Sequence, residues 1–390
     1  MPGKLLGKTD CGLSYDIAQI GGGSMKSITW SRAAAISVVV GVLLGVWNPL
    51  KIDAQDVADK QVVDVPKFQV DPFWPKLLPD RWVFGRPGGV CVDAQYHVFV
   101  VDRGDISSYE MKTAKATPPV IDFDPDGNVA NSWGNRDLMA KKLHDCTVDY
   151  QGNIWIGGSL DGMVQKYSHD GSKMLLQIGT KGRFDTSDDT ITGAPMNSSH
   201  VYLNLPASVA VDPTNGDVYI ADGYGNRRVV VFDREGHYLR QWGRQGTVAE
   251  ADAGVGGVFL GVLHCVVIGN DGLIYVCDRE GDRVQIFDKM GNFKRNIFIK
   301  NGAPHSRPGA ASTIGFSLDP AQKFIYVGDS TDQEIRILDR ATGKALSSFG
   351  RPGNQAGEFD STHSLAVNGS GDIIVADSSG HRIQMWRLVK

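Results

Sequence analysis

Most of the chain is built from one repeated pattern. In each copy, a short apolar segment ends in a small polar or glycine residue, a turn follows, and a second apolar segment ends in Asp or Gly. Six copies can be recognised, with their paired segments at 90–93 and 97–102, 146–149 and 153–158, 208–212 and 217–222, 265–269 and 273–278, 313–319 and 323–329, and 365–368 and 372–377. Short apolar runs separated by Gly and Asp turns are typical of antiparallel hairpins.

Further segments complete each repeat. A third apolar run usually follows, as at 227–233, 282–288, 334–339 and 381–386, and a fourth often ends in an aromatic residue and glycine. Four strands per unit, repeated at roughly 50–60 residues, predict the blades of a β-propeller rather than a solenoid. We therefore expect an all-β fold, a six-bladed β-propeller over residues 81–390. The last repeat lacks a fourth strand, and residues 81–85, which carry the aromatic–glycine ending, are predicted to close the ring by pairing with it.

The N-terminal part is interpreted separately. Residues 33–47 are apolar and uncharged and follow Lys26 and Arg32. This run is short for a transmembrane helix of about 20 residues but typical of a signal peptide, with an uncleaved membrane anchor as the alternative. Residues 1–55 are thus predicted to be a signal peptide or anchor with an upstream extension, Met25 being an alternative start. Residues 56–80 form a lead-in segment. Either interpretation predicts export to the periplasm or the extracellular space.

Composition excludes several classes of protein. The chain has 390 residues, 42% of them hydrophobic, and eight tryptophans, which excludes a disordered protein. A net charge of −4 argues against nucleic acid as a partner. The five cysteines form no CxxC pair, which excludes a small disulfide-stapled fold. We expect a monomer that acts on a small molecule or a peptide, and a membrane tether through the N-terminal segment is the alternative to a cleaved signal peptide.

Histidines occupy equivalent positions in alternate repeats. The residues five positions before the turn that ends each first strand are Gly88, His144, Ala207, His264, Ile314 and His363. Alternate blades of a six-bladed ring are related by about 120°, and the first strands line the central channel, so the three histidines are predicted to converge on the axis. Three neutral imidazoles with one position left open form the ligand set of a catalytic zinc site. Ordinary loop or core histidines are the alternative interpretation.

Three more candidates lie just beyond the ends of second strands. Arg103, Tyr224 and Arg279 follow Asp102, Asp222 and Asp278 within one or two residues. A second strand runs antiparallel to the first, so its end should return to the face that carries the histidines. Two arginines and a tyrosine beside a metal suit a substrate with a carboxylate and a proton to remove. Taken singly, each arginine could instead pair with a neighbouring Asp, and Tyr224 could be a rim aromatic.

Several strings together resemble a known family. VVDRGD lies at 100–105, LHDCTVD at 143–149, DGYGNR at 222–227, DREGDR at 278–283 and THSLAV at 362–367. Over about residues 68–388, the chain resembles the NHL-repeat propeller of the peptidyl-α-hydroxyglycine α-amidating lyases, also known as peptidylamidoglycolate lyases. The combination of the registered histidines with DGYxN and DRExxR is the most specific part of this resemblance, because a generic NHL repeat would share only the strand pattern.

The resemblance implies an activity and a site. Members of the family are carbon–nitrogen lyases that cleave the C–N bond of a C-terminal α-hydroxyglycine, giving a peptide amide and glyoxylate. The family's zinc ligands fall on His144, His264 and His363, and its catalytic tyrosine falls on Tyr224. Its active-site arginines fall on Arg103 and Arg279.

A structural calcium ion is also implied by the resemblance. Its backbone-carbonyl ligands would belong to Val90 and Cys146, but Ser364 stands where the family has an aspartate. This departure weighs against calcium, although Asp145 could compensate. Two other functions remain open at this point: a metal-dependent hydrolase that uses the same site, and an exported non-catalytic propeller that binds proteins or glycans.

Overall fold

The computed structural model describes residues 64–390 of the chain. The predictions for residues 1–55 and for Met25 therefore lie outside the described residues. The described secondary structure is almost entirely β, and its main elements are six four-stranded antiparallel sheets. The prediction of an all-β fold is confirmed.

Each sheet is one blade, numbered here in chain order, with its strands given from the channel outwards. Blade 1 has Pro87–Val92, Val98–Asp102, Val120–Phe123 and Val129–Trp133, and blade 2 has Leu143–Val148, Ile154–Gly158, Met163–Tyr167 and Met174–Gly179. Blade 3 has Ser208–Val211, Val218–Asp222, Arg228–Phe232 and Tyr238–Trp242, and blade 4 has Leu263–Ile268, Ile274–Asp278, Arg283–Phe287 and Phe293–Phe298. Blade 5 has Thr313–Phe316, Phe324–Asp329, Glu334–Asp339 and Ala345–Phe349, and blade 6 has Thr362–Val367, Ile373–Asp377, Arg382–Val389 and Lys67–Asp71.

The remaining elements belong to the connections. Two short parallel pairs join Trp82–Val83 to Lys115–Ala116 and Arg244–Gln245 to Val258–Phe259. A helix of one turn covers Val248–Asp252, and its N-terminus carries a capping box between Thr247 and Glu250. Single 3₁₀ turns cover Pro79–Arg81 and Glu110–Lys112. No helix of the described part of the chain is long and apolar enough to cross a membrane.

The six blades form a closed ring. The innermost strand of every blade contacts the innermost strands of the blades before and after it, and blade 6 contacts blade 1. The predicted six-bladed β-propeller is therefore confirmed. Because successive blades are related by rotation about the central channel, residues at equivalent positions of the innermost strands face the same axis.

The strand that completes blade 6 differs from the predicted one. Lys67–Asp71 pairs antiparallel with Arg382–Val389, from Lys67 opposite Val389 to Asp71 opposite Met385. The prediction that residues 81–85 close the ring is wrong, because Trp82–Val83 instead pairs with Lys115–Ala116 in the connection within blade 1. The propeller thus begins at Lys67, inside the segment predicted as a lead-in.

The hydrophobic core lies in the seams between blades. Each of six clusters of buried side chains joins residues of two consecutive blades, including blades 6 and 1. In the last of these seams, Val100 and Ile121 of blade 1 pack with Ile374 and Met385 of blade 6, all at most 1% exposed. A blade buries both of its faces in this way, which explains why the inner strands are apolar at nearly every position.

Buried ion pairs explain the aspartates that end the second strands. Asp102, Asp222, Asp278, Asp329 and Asp377 are fully buried. In four blades an arginine of the third strand donates to this aspartate, and the pairs are Arg228–Asp222, Arg283–Asp278, Arg336–Asp329 and Arg382–Asp377. The second carboxylate oxygen accepts backbone N–H groups of nearby loops, so the motif fixes the connections on the face where the second strands end.

Two disulfides tie the innermost strands. Cys91–Cys146 joins blade 1 to blade 2, and Cys265–Cys277 joins the first two strands of blade 4. Neither pair was predicted from the sequence. The first links cysteines 55 residues apart, which become neighbours only when the ring places the two innermost strands side by side.

Candidate metal centre and active site

Irregularities in strand pairing present the three histidines to the channel. His144, His264 and His363 are each the second residue of the innermost strand of blade 2, 4 or 6. In each blade the register with the second strand shifts at the histidine. A bulge of this kind leaves the extra residue unpaired and redirects its side chain. The structure therefore brings together the three histidines that the sequence predicts to converge.

Backbone carbonyls fix the protonation of two of the rings. His144 Nδ1 lies 2.8 Å from the carbonyl oxygen of Ala207, and His264 Nδ1 lies 2.6 Å from that of Ser312. A carbonyl only accepts, so each Nδ1 carries a hydrogen, and in the neutral ring Nε2 has a free lone pair. Each of these carbonyls belongs to the blade that follows the blade of its histidine.

The three rings are close and neutral. Their centroids are 4.5–4.8 Å apart, and one nitrogen from each ring lies within 4.8 Å of the others. Burial, followed by unfavourable interactions with neighbouring basic groups, holds the pKa of all three well below the ordinary value. Neutral imidazoles are the form that binds a metal.

Tyr224 lies over two of the histidines. Its hydroxyl oxygen is 2.9 Å from His144 Nε2 and 3.1 Å from His264 Nε2. Asn226 stabilises the loop that carries Tyr224, because its Nδ2 donates both to Asp222 and to Asp185 of the insertion between blades 2 and 3. Tyr224 is therefore held beside the point on which the histidines converge.

Arg103 lies beside the third histidine. Its Nη2 is 3.0 Å from His363 Nε2, its Nε donates to the carbonyl oxygen of Leu143, and its Nη1 donates to Ser378 Oγ. None of these partners is a carboxylate, and within residues 64–390 no acidic side chain forms a salt bridge with Arg103. Burial lowers the pKa of Arg103 below its ordinary value, and neighbouring acidic groups only partly offset this effect. The positive charge of Arg103 is thus free to meet an anion.

Arg279 has a different environment. Its Nη1 donates to Tyr224 Oη over 3.2 Å, and its Nη2 donates to Glu280 Oε1 over 2.9 Å. Burial opposes the charge of this guanidinium, yet the neighbouring Tyr224 hydroxyl and the Glu280 carboxylate raise the pKa of Arg279 above its ordinary value. The two arginines of the site are therefore not equivalent, because only Arg279 has its own buried counter-charge.

The donor set fits a metal ion. The Tyr224 hydroxyl has one hydrogen and can satisfy the lone pair of only one of the two Nε2 atoms beside it. Arg103 is a donor only, so His363 also presents a lone pair from Nε2 towards the site. Lone pairs converge from three neutral imidazoles, and one side is left open. This is the arrangement of a three-histidine catalytic metal site.

The donors for the implied calcium ion do not fit. Ser364 Oγ accepts the backbone N–H of Val90 and donates to Asp145, so blade 6 provides a hydroxyl in place of a carboxylate. Asp145 and Ser364 line a channel cavity of about 400 Å³ together with Cys146, and among residues 64–390 Asp145 is the only acidic residue that lines it. Calcium prefers six to eight oxygen ligands that include ionised carboxylates.

All six candidate residues lie within one site, and the groups that support them were not predicted from the sequence. These are the carbonyls of Ala207 and Ser312, the hydroxyl of Ser378 and the carboxylate of Glu280. Every residue has a backbone carbonyl, so the sequence does not indicate which carbonyls contact the histidines. Glu280 could have been predicted as a partner of Arg279, because it directly follows that arginine in the DRE string.

Comparison with known families recovers the repeat. The sequence profile of the NHL repeat matches residues 203–232 and 359–386, in blades 3 and 6. The chain contains NHL repeats. The streptogramin B lyase structure superposes with a TM-score of 0.51 at 15% identity, covering 83% of this chain and 98% of that one, which supports the propeller fold alone.

Longer relatives share most of the propeller. Peptidyl-glycine alpha-amidating monooxygenase A of Xenopus laevis is 26% identical over 360 residues, 87% of this chain and 34% of its own length. Peptidyl-alpha-hydroxyglycine alpha-amidating lyase 2 of Drosophila melanogaster is 26% identical over 338 residues, 81% of this chain and 74% of its own length. The chain thus spans about a third of the length of the monooxygenase and about three quarters of the lyase.

Proposed function

We propose that this chain is a zinc-dependent carbon–nitrogen lyase that cleaves a peptidyl-α-hydroxyglycine-like substrate into an amide and glyoxylate. The observation that carries the proposal is the convergence of His144, His264 and His363 beside the Tyr224 hydroxyl and two arginines. The names of the relatives support this reaction class. A hydrolase that uses the same metal and a non-catalytic binding propeller are outcomes of the test described below.

Zinc fits the three imidazoles as the resident ion. His144 and His264 would bind it through Nε2, since Nδ1 of each ring is held by a carbonyl, and His363 would complete the set. A bound zinc ion supplies Lewis acidity that acidifies a hydroxyl group. The hydrogen bonds to Nδ1 hold the ligand atoms of His144 and His264 in place before the ion binds, which lowers the cost of ordering them.

Tyr224 is placed to move the proton. The substrate hydroxyl loses its proton to Tyr224 Oη while the electrons of the O–H bond form the carbonyl of glyoxylate. The C–N bond breaks towards nitrogen, and the phenol hydrogen of Tyr224 passes to that nitrogen to give the amide. The tyrosine therefore ends the step in its starting form. The hydrogen bond from Arg279 Nη1 keeps the phenol oxygen at the centre of the site.

Arg103 is the residue best placed to bind the substrate carboxylate. It is part-buried, it has three contacts that are all to uncharged groups, and its charge has no carboxylate partner among the described residues. A guanidinium in this state binds a carboxylate with charge-assisted hydrogen bonds. Holding the carboxylate at Arg103, beside His363, orients the carbinol carbon towards Tyr224.

We also propose that the protein is exported, to the periplasm or the extracellular space. Two disulfides in the described residues support this, since disulfides persist in oxidising compartments. A monomeric state, the absence of a nucleic-acid partner and a membrane tether through the N-terminal segment stay predictions.

The decisive experiment follows glyoxylate release from a peptide that ends in α-hydroxyglycine. We expect purified protein to release glyoxylate, to lose the activity on chelation and to regain it with zinc. His264→Ala should abolish release and lower the bound zinc, because it removes one of three ligands. Tyr224→Phe should keep its zinc while kcat falls about 10²–10⁴-fold, the usual contribution of a general acid–base group.

His237 provides the matched control. It is exposed, lies in the outer turn of blade 3 and contacts Asp233, so His237→Ala should keep both zinc and activity. Bound zinc without glyoxylate release would contradict the lyase and favour a hydrolase at the same centre. Neither zinc nor release would favour a binding propeller.

A further inference from the structure

Glu280 is a buried carboxylate that the proposed reaction does not use directly. It is 4% exposed and lies next to Arg279 in the loop that follows the second strand of blade 4. Its Oε1 accepts from Arg279 Nη2 over 2.9 Å, and its Oε2 accepts from the backbone N–H of Val262 over 2.6 Å. Each oxygen thus has a hydrogen bond to a group of the active site or of its supporting backbone, and Oε1 also lies 3.8 Å from Nε of the exposed Arg307.

These contacts connect Arg279 to the strand that carries a histidine. Val262 directly precedes Leu263–Ile268, the strand of His264, and its carbonyl oxygen accepts the backbone N–H of Arg279. Val262 therefore holds both the backbone of Arg279 and the side chain of Glu280. The carboxylate cannot move without breaking one of these hydrogen bonds.

A glycine creates the space for this carboxylate. A Cβ atom at Gly261 would lie 2.0 Å from Glu280 Oε2 and 2.6 Å from its Cβ, far inside van der Waals contact. The side chain of Glu280 consequently rests directly on the backbone of residue 261. The loop before His264 can therefore accommodate the Glu280 carboxylate only because residue 261 is a glycine.

Glu280 also helps to fix the orientation of the Arg279 guanidinium. Nη2 is held by Glu280 and Nη1 by Tyr224 Oη, so the two ends of the planar group are fixed in one orientation. The guanidinium lies 5.5 Å from the centroid of the Tyr224 ring. Without the carboxylate, one of these two anchors would be missing, and the long arginine side chain would regain other rotamers.

We propose that Glu280 is a positioning residue that holds the Arg279 guanidinium against the Tyr224 hydroxyl. It thereby governs how fast bound substrate reacts, whereas the affinity for the anionic substrate depends on Arg103. This inference rests on the proposed lyase function for its kinetic consequence. Its structural consequence, the orientation of Arg279, is independent of any activity.

The test is Glu280→Gln in the full-length, zinc-loaded protein. The amide oxygen still accepts from Val262, but the charge that holds Arg279 is lost. We expect kcat for glyoxylate release to fall about tenfold, while KM does not rise and zinc content is kept. A crystal structure of the variant should show Arg279 Nη1 moved beyond hydrogen-bond distance of Tyr224 Oη.

Glu358→Gln is the matched control, because Glu358 likewise accepts from an arginine, Arg351, and from a backbone N–H, that of Gln355. It contacts neither Arg279 nor Tyr224 and should leave kcat unchanged. An unchanged kcat in Glu280→Gln, or a loss matched by a loss of zinc or of thermal stability, would overturn the inference. If wild-type protein releases no glyoxylate, the proposed function fails, and the Arg279–Tyr224 distance in the variant still decides the role of Glu280.

Discussion

At the scale of single residues, the site depends on which polar groups have a partner and which do not. His144 and His264 each have Nδ1 held by a carbonyl of the following blade, whereas His363 Nδ1 is buried without a partner among the described residues. The blade that follows His363 is blade 1, whose innermost strand has its own register shift at Gly88. The other nitrogen of His363 contacts Arg103 Nη2, and this contact must break if Nε2 is to bind a metal ion.

Asp145 gives a testable pH dependence at this scale. Burial raises the pKa of Asp145 to about 7 in the folded protein, whereas an unfolded chain has it near 3.9. Between these values the folded state keeps a proton that the unfolded state has lost, so the stability contributed by this group falls as pH rises towards 7 and then levels off. Asp145→Asn should remove this loss.

The measurement is the free energy of unfolding in EGTA at pH 5 and pH 8. The free energy of unfolding of Asp145→Asn minus that of wild type should be about 1–2 kcal/mol larger at pH 8 than at pH 5. This range allows for the part of the Asp145 side chain that water reaches. Exposed Asp126 provides the control, and Asp126→Asn should show no such trend. A constant difference between Asp145→Asn and wild type would mean that a cation or another partner keeps Asp145 ionised.

At the scale of strands and loops, repetition explains what the sequence predicted well. The position of the histidines follows from counting along equivalent strands, because equivalent positions of a ring face one axis. The reliance on repetition also explains why the closing strand was predicted wrongly. Trp82 and Gly85 repeat the aromatic–glycine ending of a fourth strand without forming one. The actual closing strand, Lys67–Asp71, has only a short alternation of polar and apolar residues. Its role depends on contacts with residues more than 300 positions away, which no local pattern contains.

The buried Asp–Arg pairs lead to a stability prediction for a whole blade. Arg283 is fully buried; its Nε donates to Asp278 and its Nη2 donates to the carbonyl of Val258. Arg283→Met should lower the free energy of unfolding by about 3–5 kcal/mol, because it leaves the Asp278 carboxylate buried without its counter-charge.

Chemical denaturation of wild type and variants measures this loss. Adding Asp278→Asn to Arg283→Met should restore part of the stability, since the unpaired charge is then removed. Arg234→Met, at an exposed arginine paired with Glu235, should change stability by less than about 1 kcal/mol. Equal losses for Arg283→Met and Arg234→Met would mean that the buried pair contributes no more than a surface pair.

At the scale of the whole molecule, the alternation of blades is the organising feature. Blades 2, 4 and 6 supply histidines, blades 3 and 5 supply the carbonyls that orient two of them, and blades 1, 3 and 4 supply Arg103, Tyr224 and Arg279. Every blade but blade 5 thus contributes a side chain to the candidate site, and the geometry of the site depends on the ring being closed. The N-terminal strand of blade 6 is the element that closes it.

The closing strand is therefore expected to matter for the whole ring. Its side chains alternate, with Phe68 and Val70 directed towards blade 5 and Lys67 and Gln69 exposed. Phe68 packs on Tyr326 and Phe349 at ring-centroid distances of 5.5 and 5.0 Å. Replacing both Phe68 and Val70 by Ser should lower the free energy of unfolding by about 4 kcal/mol, from the lost apolar burial.

Replacing Lys67 and Gln69 by Ser changes the same strand on its exposed side and should leave stability almost unchanged. Thermal unfolding of the two double variants therefore separates packing against blade 5 from the mere presence of the strand. Metal binding at the candidate three-histidine site should follow stability, because an opened seam between blades 5 and 6 releases the strand of His363. Equal stability of the two variants would show that the ring is held closed by the backbone hydrogen bonds of Lys67–Asp71 and not by its side chains.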